Sequence, residues 1–176
     1  MKRCALLASV MLATIVVSAS GIAFPDGAPW GAANPANPDH CASCHWERPA
    51  RANSQQLELD GLPERVRSGG VYALTVTLSD PTMQISGFQI VAEADGQPAG
   101  EFSARDERLE SALIGTMLRT MTPADALAGR VRWQFEWQAP ATIGSPVIVY
   151  LAASAANNDG SPFGDVIHYQ QYMITP

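Results

Sequence analysis

The sequence predicts an antiparallel β-sandwich, and three observations lead to this fold class. From about residue 55 onward, apolar and polar side chains alternate in short runs, as they do in half-buried strands. Gly, Pro, Asn and Asp bound these runs, and no convincing helical pattern lies between them. Several short strands separated by turn residues are typical of a sandwich.

The strands can be placed in order along the chain. The clearest is 131–137, where polar residues separate four apolar ones, Val131, Trp133, Phe135 and Trp137. We expect these aromatic side chains in the sandwich core. The other predicted strands are 57–60, 71–79, 88–93, 146–153 and 166–174, with a turn at Asp95-Gly96. The run 146–153 is apolar throughout, as a central strand would be.

The segment around residue 115 is ambiguous. Apolar residues recur there at helical spacing, at Leu109, Leu113, Met117 and Met121. Gly115 and several β-branched residues weigh against a helix. We therefore interpret 113–122 as a strand.

The start of the chain predicts export. Lys2 and Arg3 precede an almost unbroken apolar run, and small residues follow, so cleavage after Ser20 or Ala23 fits a secretory signal. The chain then divides into a signal peptide over 1–23, an arm over 24–54 and a sandwich over 55–176. We expect a periplasmic or secreted protein with no transmembrane span once the signal is cleaved.

The charge excludes one class of partner. The formal net charge is −6, and it falls to near −8 without Lys2 and Arg3, which also leaves no lysine. Proteins that bind nucleic acid usually carry a basic patch, and the sequence offers none. An acidic surface instead favours a basic partner through electrostatic steering.

The arm over 24–54 is rich in Pro, Gly, Ala and Asn, so it should be a loop or extended. It contains Cys41-Ala42-Ser43-Cys44-His45, the attachment signature of a c-type haem. Two thiols at this spacing can reach the two vinyl groups of one haem. The next residue then lies under the ring, where its imidazole can bind the iron as the proximal ligand. We therefore expect one covalent haem c on Cys41, Cys44 and His45.

Two cysteines at this spacing can also have other uses. A redox disulfide of the CxxC type usually begins a helix in a βαβ unit, which this sequence lacks. A structural zinc site needs four ligands, and the mature chain has no second cysteine pair. His40 and His45 could complete such a site on paper, but ligands packed that closely rarely close a tetrahedron.

Four stretches of the sandwich resemble a known family. They are YALTVTLSDP (72–81), GFQIVA (87–92), FEWQAPA (135–141) and VIVYLAASAANNDGSPFGDVI (147–167). Together they resemble the Reeler (reelin-like) domain, in the bacterial form sometimes described as a choice-of-anchor domain, whose members often carry an upstream CxxCH. The resemblance covers about residues 55–176. It implies an immunoglobulin-like antiparallel β-sandwich, and little about the reaction. Together with the motif, we expect this sandwich to be preceded by an extended haem-bearing N-terminal arm.

The resemblance also suggests a sixth haem ligand. Relatives tend to have Thr-His-Thr where this chain has Thr120-Met121-Thr122, and histidine and methionine are the usual sixth ligands. Met121 is therefore the candidate distal ligand, unless it only fills a gap in the core. His168 is the second candidate, although the alternation around it would also suit a solvated sheet face.

Other residues near the motif have weaker signals. Trp46 could stack on the porphyrin edge, and Arg48 and Arg51 could pair with the propionates or remain solvated. Asp159 and Asp165 resemble the ligands of a calcium-binding loop, but turn formation explains their positions better.

Electron transfer is the leading function that these residues indicate, with a redox partner protein in the periplasm or at the cell surface. The alternative is a non-catalytic secreted binding or adhesion module whose haem is structural or sensory. Haem-based catalysis, such as peroxidase activity, would need a distal acid–base residue that the sequence does not offer.

Overall fold

The computed structural model describes residues 27–112 and 115–176. The signal peptide predicted over 1–23 lies outside them, as do Leu113 and Ile114. Within the described residues the chain forms one short helix and eleven strands. No helix among them is long and apolar enough to cross a membrane.

The helix α1 spans Cys41–Cys44 and precedes all the strands. The strands are β1 (Leu57–Asp60), β2 (Val71–Ser79), β3 (Ile85–Ala94), β4 (Gln97–Pro98), β5 (Glu101–Ala104), β6 (Leu109–Ser111), β7 (Met117–Thr120), β8 (Ala124–Asp125), β9 (Arg130–Gln138), β10 (Val147–Ala156) and β11 (Val166–Ile174). β1, β2 and β11 have the bounds that the alternation predicts, and β3 and β9 extend slightly beyond theirs.

The described strands form two antiparallel sheets, which confirms the predicted all-β sandwich. One sheet has four strands in the order β1-β2-β9-β5. The other has seven, in the order β11-β10-β3-β7-β6, with β4 and β8 also paired to β3. The apolar run predicted as a central strand is β10, which pairs with β3 on one side and β11 on the other.

The core lies between the two sheets. Trp133, Phe135 and Trp137 of β9 are buried there, as their alternation predicts. From the facing sheet, Phe88 packs against Trp133 and Phe135, with ring centroids 4.8 and 5.6 Å apart. These aromatic contacts fix which face of each sheet points inward.

The ambiguous segment forms strands within its described part. β6 and β7 pair antiparallel, and Gly115 between them has a φ of +69°. A residue in this left-handed region turns the chain and suits glycine. The strand interpretation is therefore confirmed over Met117–Thr120. The residues at helical spacing do not share one face: Leu109 is buried in the sandwich core, Met117 packs on the outer face of the sheet, and Met121 is exposed.

The outer face of the seven-stranded sheet is also covered. Val91, Ala152, Ile167 and Tyr169 point away from the core, yet they are buried together with Ala33 of the arm. An antiparallel sheet usually leaves one face to water, so this apolar outer face needs a cover. The arm supplies it.

Hydrogen bonds hold the arm at both ends. Near its start, the Gln89 side chain accepts from the Ala33 N–H (3.2 Å) and donates to the Pro29 carbonyl (2.9 Å). Near its end, the Arg51 N–H donates to the Ile167 carbonyl (2.8 Å), and the Tyr169 N–H donates to the Arg51 carbonyl (2.9 Å). The motif between these ends is thus fixed above the sheet.

Candidate functional site

The CxxCH residues form one turn of helix. The His45 N–H donates to the Cys41 carbonyl (3.2 Å), which closes α1. Residues at i, i+3 and i+4 share one face of a helix, so Cys41, Cys44 and His45 point the same way. The spacing of the motif therefore has a direct structural consequence.

A cavity of about 370 Å³ lies between the arm and the outer face of the sheet. Cys41, Cys44 and His45 all line it. The opposite wall comes from β3, β10 and β11 and is largely apolar, with Ile85, Ala152 and Ile167 on the outer face of the sheet. The volume falls in the range of about 300–1,000 Å³ that is usual for small-molecule and cofactor sites.

His45 is anchored by a buried carboxylate. Its Nδ1 lies 2.9 Å from Oδ2 of Asp165, whose side chain is only 3% exposed. A carboxylate oxygen in this position accepts a hydrogen bond from a protonated Nδ1, so the contact favours the Nδ1–H tautomer of His45. In the neutral ring this leaves the Nε2 lone pair free to bind a metal.

The loop before Asp165 is held by its own side chains. Asn157 Oδ1 accepts from the Asp159 N–H (3.2 Å), and Asp159 Oδ1 accepts from the Ser161 N–H (2.9 Å). Asp165 Oδ1 accepts from the Asn157 N–H (3.2 Å) and so ties the two ends of the loop together. These are the turns that Asx residues favour. The described residues contain no cluster of three or more side chains suited to a metal ion.

Tyr169 holds α1 against the sheet. Its hydroxyl accepts from the Ala42 N–H (3.0 Å) and lies 3.1 Å from Nδ1 of His40. Burial raises the pKa of this hydroxyl, so the group keeps its proton and can donate it to His40. One side chain of β11 therefore positions both the residue before the motif and the first turn of α1.

The two cysteines differ in their surroundings. Cys44 is exposed, whereas Cys41 is half-buried beside the cavity. Burial raises the pKa of the Cys41 thiol to about 12, because a thiolate there would lose its hydration. Cys41 is thus a protonated thiol that faces an apolar space.

Met121 lies apart from the other predicted site residues. It directly follows β7, is 41% exposed and does not line the cavity, although its neighbours Thr120 and Pro123 do. Its own N–H donates to the Arg108 carbonyl (2.8 Å). Ligation by Met121 stays a prediction, and its side chain does not face the cavity in this structure.

His168 is fully buried, so the expectation of a solvated sheet face is wrong. The alternation of β11 puts Ile167 and Tyr169 under the arm and turns His168 to the other side. Its Nδ1 lies 2.7 Å from Ser54 Oγ, and its Nε2 is 3.7 Å from Oδ2 of buried Asp80. Burial lowers its pKa to about 4. His168 does not line the cavity.

The remaining candidates lie outside the cavity wall. Trp46 is exposed and meets the ring of Phe163 edge-to-face, with centroids 5.6 Å apart. The Arg51 guanidinium lies 3.2 Å from the Asp80 carboxylate, and Arg48 is exposed. None of the three predicted haem contacts lines the cavity.

The structure thus brings the three motif residues together and adds two further residues that contact them or their neighbours, Asp165 and Tyr169. The sequence indicates a turn at Asp165 and indicates no role for Tyr169. A signal for Tyr169 was present, since the outer positions of β11 are apolar and so indicate a covered face. The contact between Asp165 and His45 has no local signal, because the residues lie 120 positions apart.

No family model and no curated protein matches the chain. Solved structures do match. The Reelin-N domain of F-spondin aligns with a TM-score of 0.55 and 18% identity, over 77% of this chain and 97% of that one. The human F-spondin reeler domain aligns with a TM-score of 0.54 and 18% identity, over 73% and 94%. The chain has a Reeler-like fold. At this identity the likeness concerns the fold alone.

Proposed function

We propose that the protein is an exported Reeler-like binding module that carries one covalently attached haem between its arm and its sheet. The observation that carries this proposal is the convergence of Cys41, Cys44 and His45 on one apolar cavity. The Reeler-like neighbours support the non-catalytic, binding part of the proposal. The CxxCH motif supports the haem.

The residues of the cavity fit the group. The thiols of Cys41 and Cys44 would form thioether bonds, and Nε2 of His45 would bind the iron. The wall opposite the motif is apolar, as a porphyrin face requires. When bound, the haem would supply a one-electron redox couple and an iron that can take a small ligand.

A structural or sensory haem agrees best with the cavity wall. Among the described residues that line the cavity, the imidazoles are His40 and His45, and no methionine is present. His40 directly precedes Cys41, and its ring is held by Tyr169. The sixth position would then accept water or an added ligand. Carbon monoxide should shift the spectrum of the reduced protein.

Electron transfer is the second candidate, and the exposure of Cys44 favours it. Attachment at an exposed residue suits the passage of electrons to a partner, which would be a basic protein of the periplasm or cell surface. This function calls for a six-coordinate low-spin haem, and the two predicted sixth ligands, Met121 and His168, would have to reach a cavity that neither of them lines. A reversible redox titration together with such a spectrum would select it over the sensory role.

The test of the proposed function is attachment itself. We expect mature protein, made together with a cytochrome c maturation system, to gain the mass of one haem and to show a c-type pyridine haemochrome. The double variant Cys41→Ser/Cys44→Ser is the matched control and should lack both. Wild-type protein with only the mass of the polypeptide would refute the haem. The proposal would then reduce to a Reeler-like binding module without a cofactor.

A further inference from the structure

The loop that ends at Asp165 makes contacts that a turn does not require. A turn needs only its own hydrogen bonds, yet this loop brings a carboxylate against a side chain of the arm. The Asp165 side chain is 3% exposed, so its carboxyl group is almost entirely removed from water. Its two oxygens accept from different partners, the Asn157 N–H (3.2 Å) and His45 Nδ1 (2.9 Å).

The surrounding contacts fix this carboxylate in place. Gly164 directly precedes it with a φ of +83°, and a Cβ there would lie 2.8 Å from the Asn157 side chain. The Gly164 N–H also donates to Glu47 of the arm (2.6 Å). The loop therefore contacts the arm at two neighbouring points, Asp165 at His45 and Gly164 at Glu47.

We propose that Asp165 is a positioning residue that holds the His45 ring with Nε2 facing the cavity and lowers the reduction potential of the iron that His45 binds. This inference rests on the proposed function. A carboxylate that accepts the Nδ1–H of a ligating histidine fixes its tautomer and makes it a stronger donor. A stronger donor stabilises iron(III) more than iron(II), and so lowers the potential.

The first measurement needs no haem. In the full mature chain without haem, ¹⁵N shifts at neutral pH should show His45 as the Nδ1–H tautomer, with the signal assigned by its loss in His45→Gln. Asp165→Ala should move His45 toward the Nε2–H tautomer. If wild-type His45 is already the Nε2–H tautomer, or if Asp165→Ala leaves its shifts unchanged, the positioning role is refuted.

The second measurement uses the haem protein. Asp165→Asn keeps the size and an acceptor but removes the charge, and we expect it to shift the iron(III)/iron(II) equilibrium about tenfold toward iron(II). For one electron this is a rise of about 59 mV. Asp159→Asn is the matched control, since it removes one charge from the same loop without a contact to His45. Equal shifts in both variants, or no shift in Asp165→Asn, would overturn the proposal.

The two measurements separate the two claims. If no haem attaches, the proposed function fails, and the ¹⁵N data still decide whether Asp165 orients His45. If haem attaches and the potential does not respond to Asp165→Asn, the proposed function stands and the tuning role falls.

Discussion

The burial of His168 makes a prediction about acid stability. Its pKa is lowered from 6.5 to about 4 in the folded chain, with burial as the main cause and the charge of Arg51 as a second one. The unfolded chain would bind a proton near pH 6.5, whereas the folded chain would not do so until about pH 4. The contribution of His168 to stability is therefore fully present above pH 6.5 and is lost as the pH falls toward 4.

The size of the loss follows from these two values. Between pH 7.5 and pH 5, His168 binds a proton in the unfolded chain but hardly any in the folded chain. This difference lowers the free energy of unfolding by about 2 kcal/mol. Asp80 does not contribute in this window. Burial would raise the pKa of its carboxyl, but hydrogen bonds from Thr82 and the charge of Arg51 lower it below 3.8. Protonation of Asp80 therefore lowers the free energy of unfolding only in stronger acid.

The assay is urea unfolding, followed by the fluorescence of the buried tryptophans, at pH 7.5 and pH 5. The matched variant is His168→Asn, whose side chain is close in size and can still bond to Ser54 but does not titrate. We expect the wild type to lose about 2 kcal/mol more than the variant between the two pH values. Equal losses in the two proteins would show that His168 titrates normally, and the reasoning from its burial would be refuted.

Three further predictions concern Tyr169, Met121 and Gly164. Tyr169→Phe removes two hydrogen bonds, so arm docking should weaken by about 1–3 kcal/mol, seen as faster amide exchange in the arm and unchanged exchange in β9. Met121→Ala should leave the haem spectrum and potential unchanged, because the side chain is exposed. Loss of a low-spin spectrum would instead identify Met121 as the sixth ligand. Gly164→Ala should destabilise the protein more than Gly96→Ala, since both have positive φ but only Gly164 has a contact for the new Cβ.

The sandwich was predictable because its signals are local. In β9, apolar and polar residues alternate without exception from Val131 to Trp137, and Pro140 follows the strand. Which side chains face the core then follows from the two-residue period. The CxxCH motif is local in the same sense, since one helical turn suffices to bring Cys41, Cys44 and His45 to one face.

The position of the arm was not predictable in this way. Its composition indicates a loop, and nothing in it names the surface that it covers. The signal lay in the sheet, where Ile167 and Tyr169 are outward-facing and yet apolar. His168 between them showed the opposite problem, because a polar residue in an alternating strand suggests solvent. Its burial depends on Ser54 and Asp80, which are distant in sequence and close only in the folded chain.

The site is divided between two parts of the chain, and this division would couple the proposed haem attachment to the fold. The arm carries both cysteines and His45, while the sandwich supplies the apolar wall and, through Asp165 and Tyr169, the contacts that orient the motif. A haem bound to the arm but also packed on the sheet would favour the docked arm over a detached one, because it gains contacts only in the docked state. The same linkage requires that variants which loosen the arm, such as Tyr169→Phe, weaken haem packing in proportion.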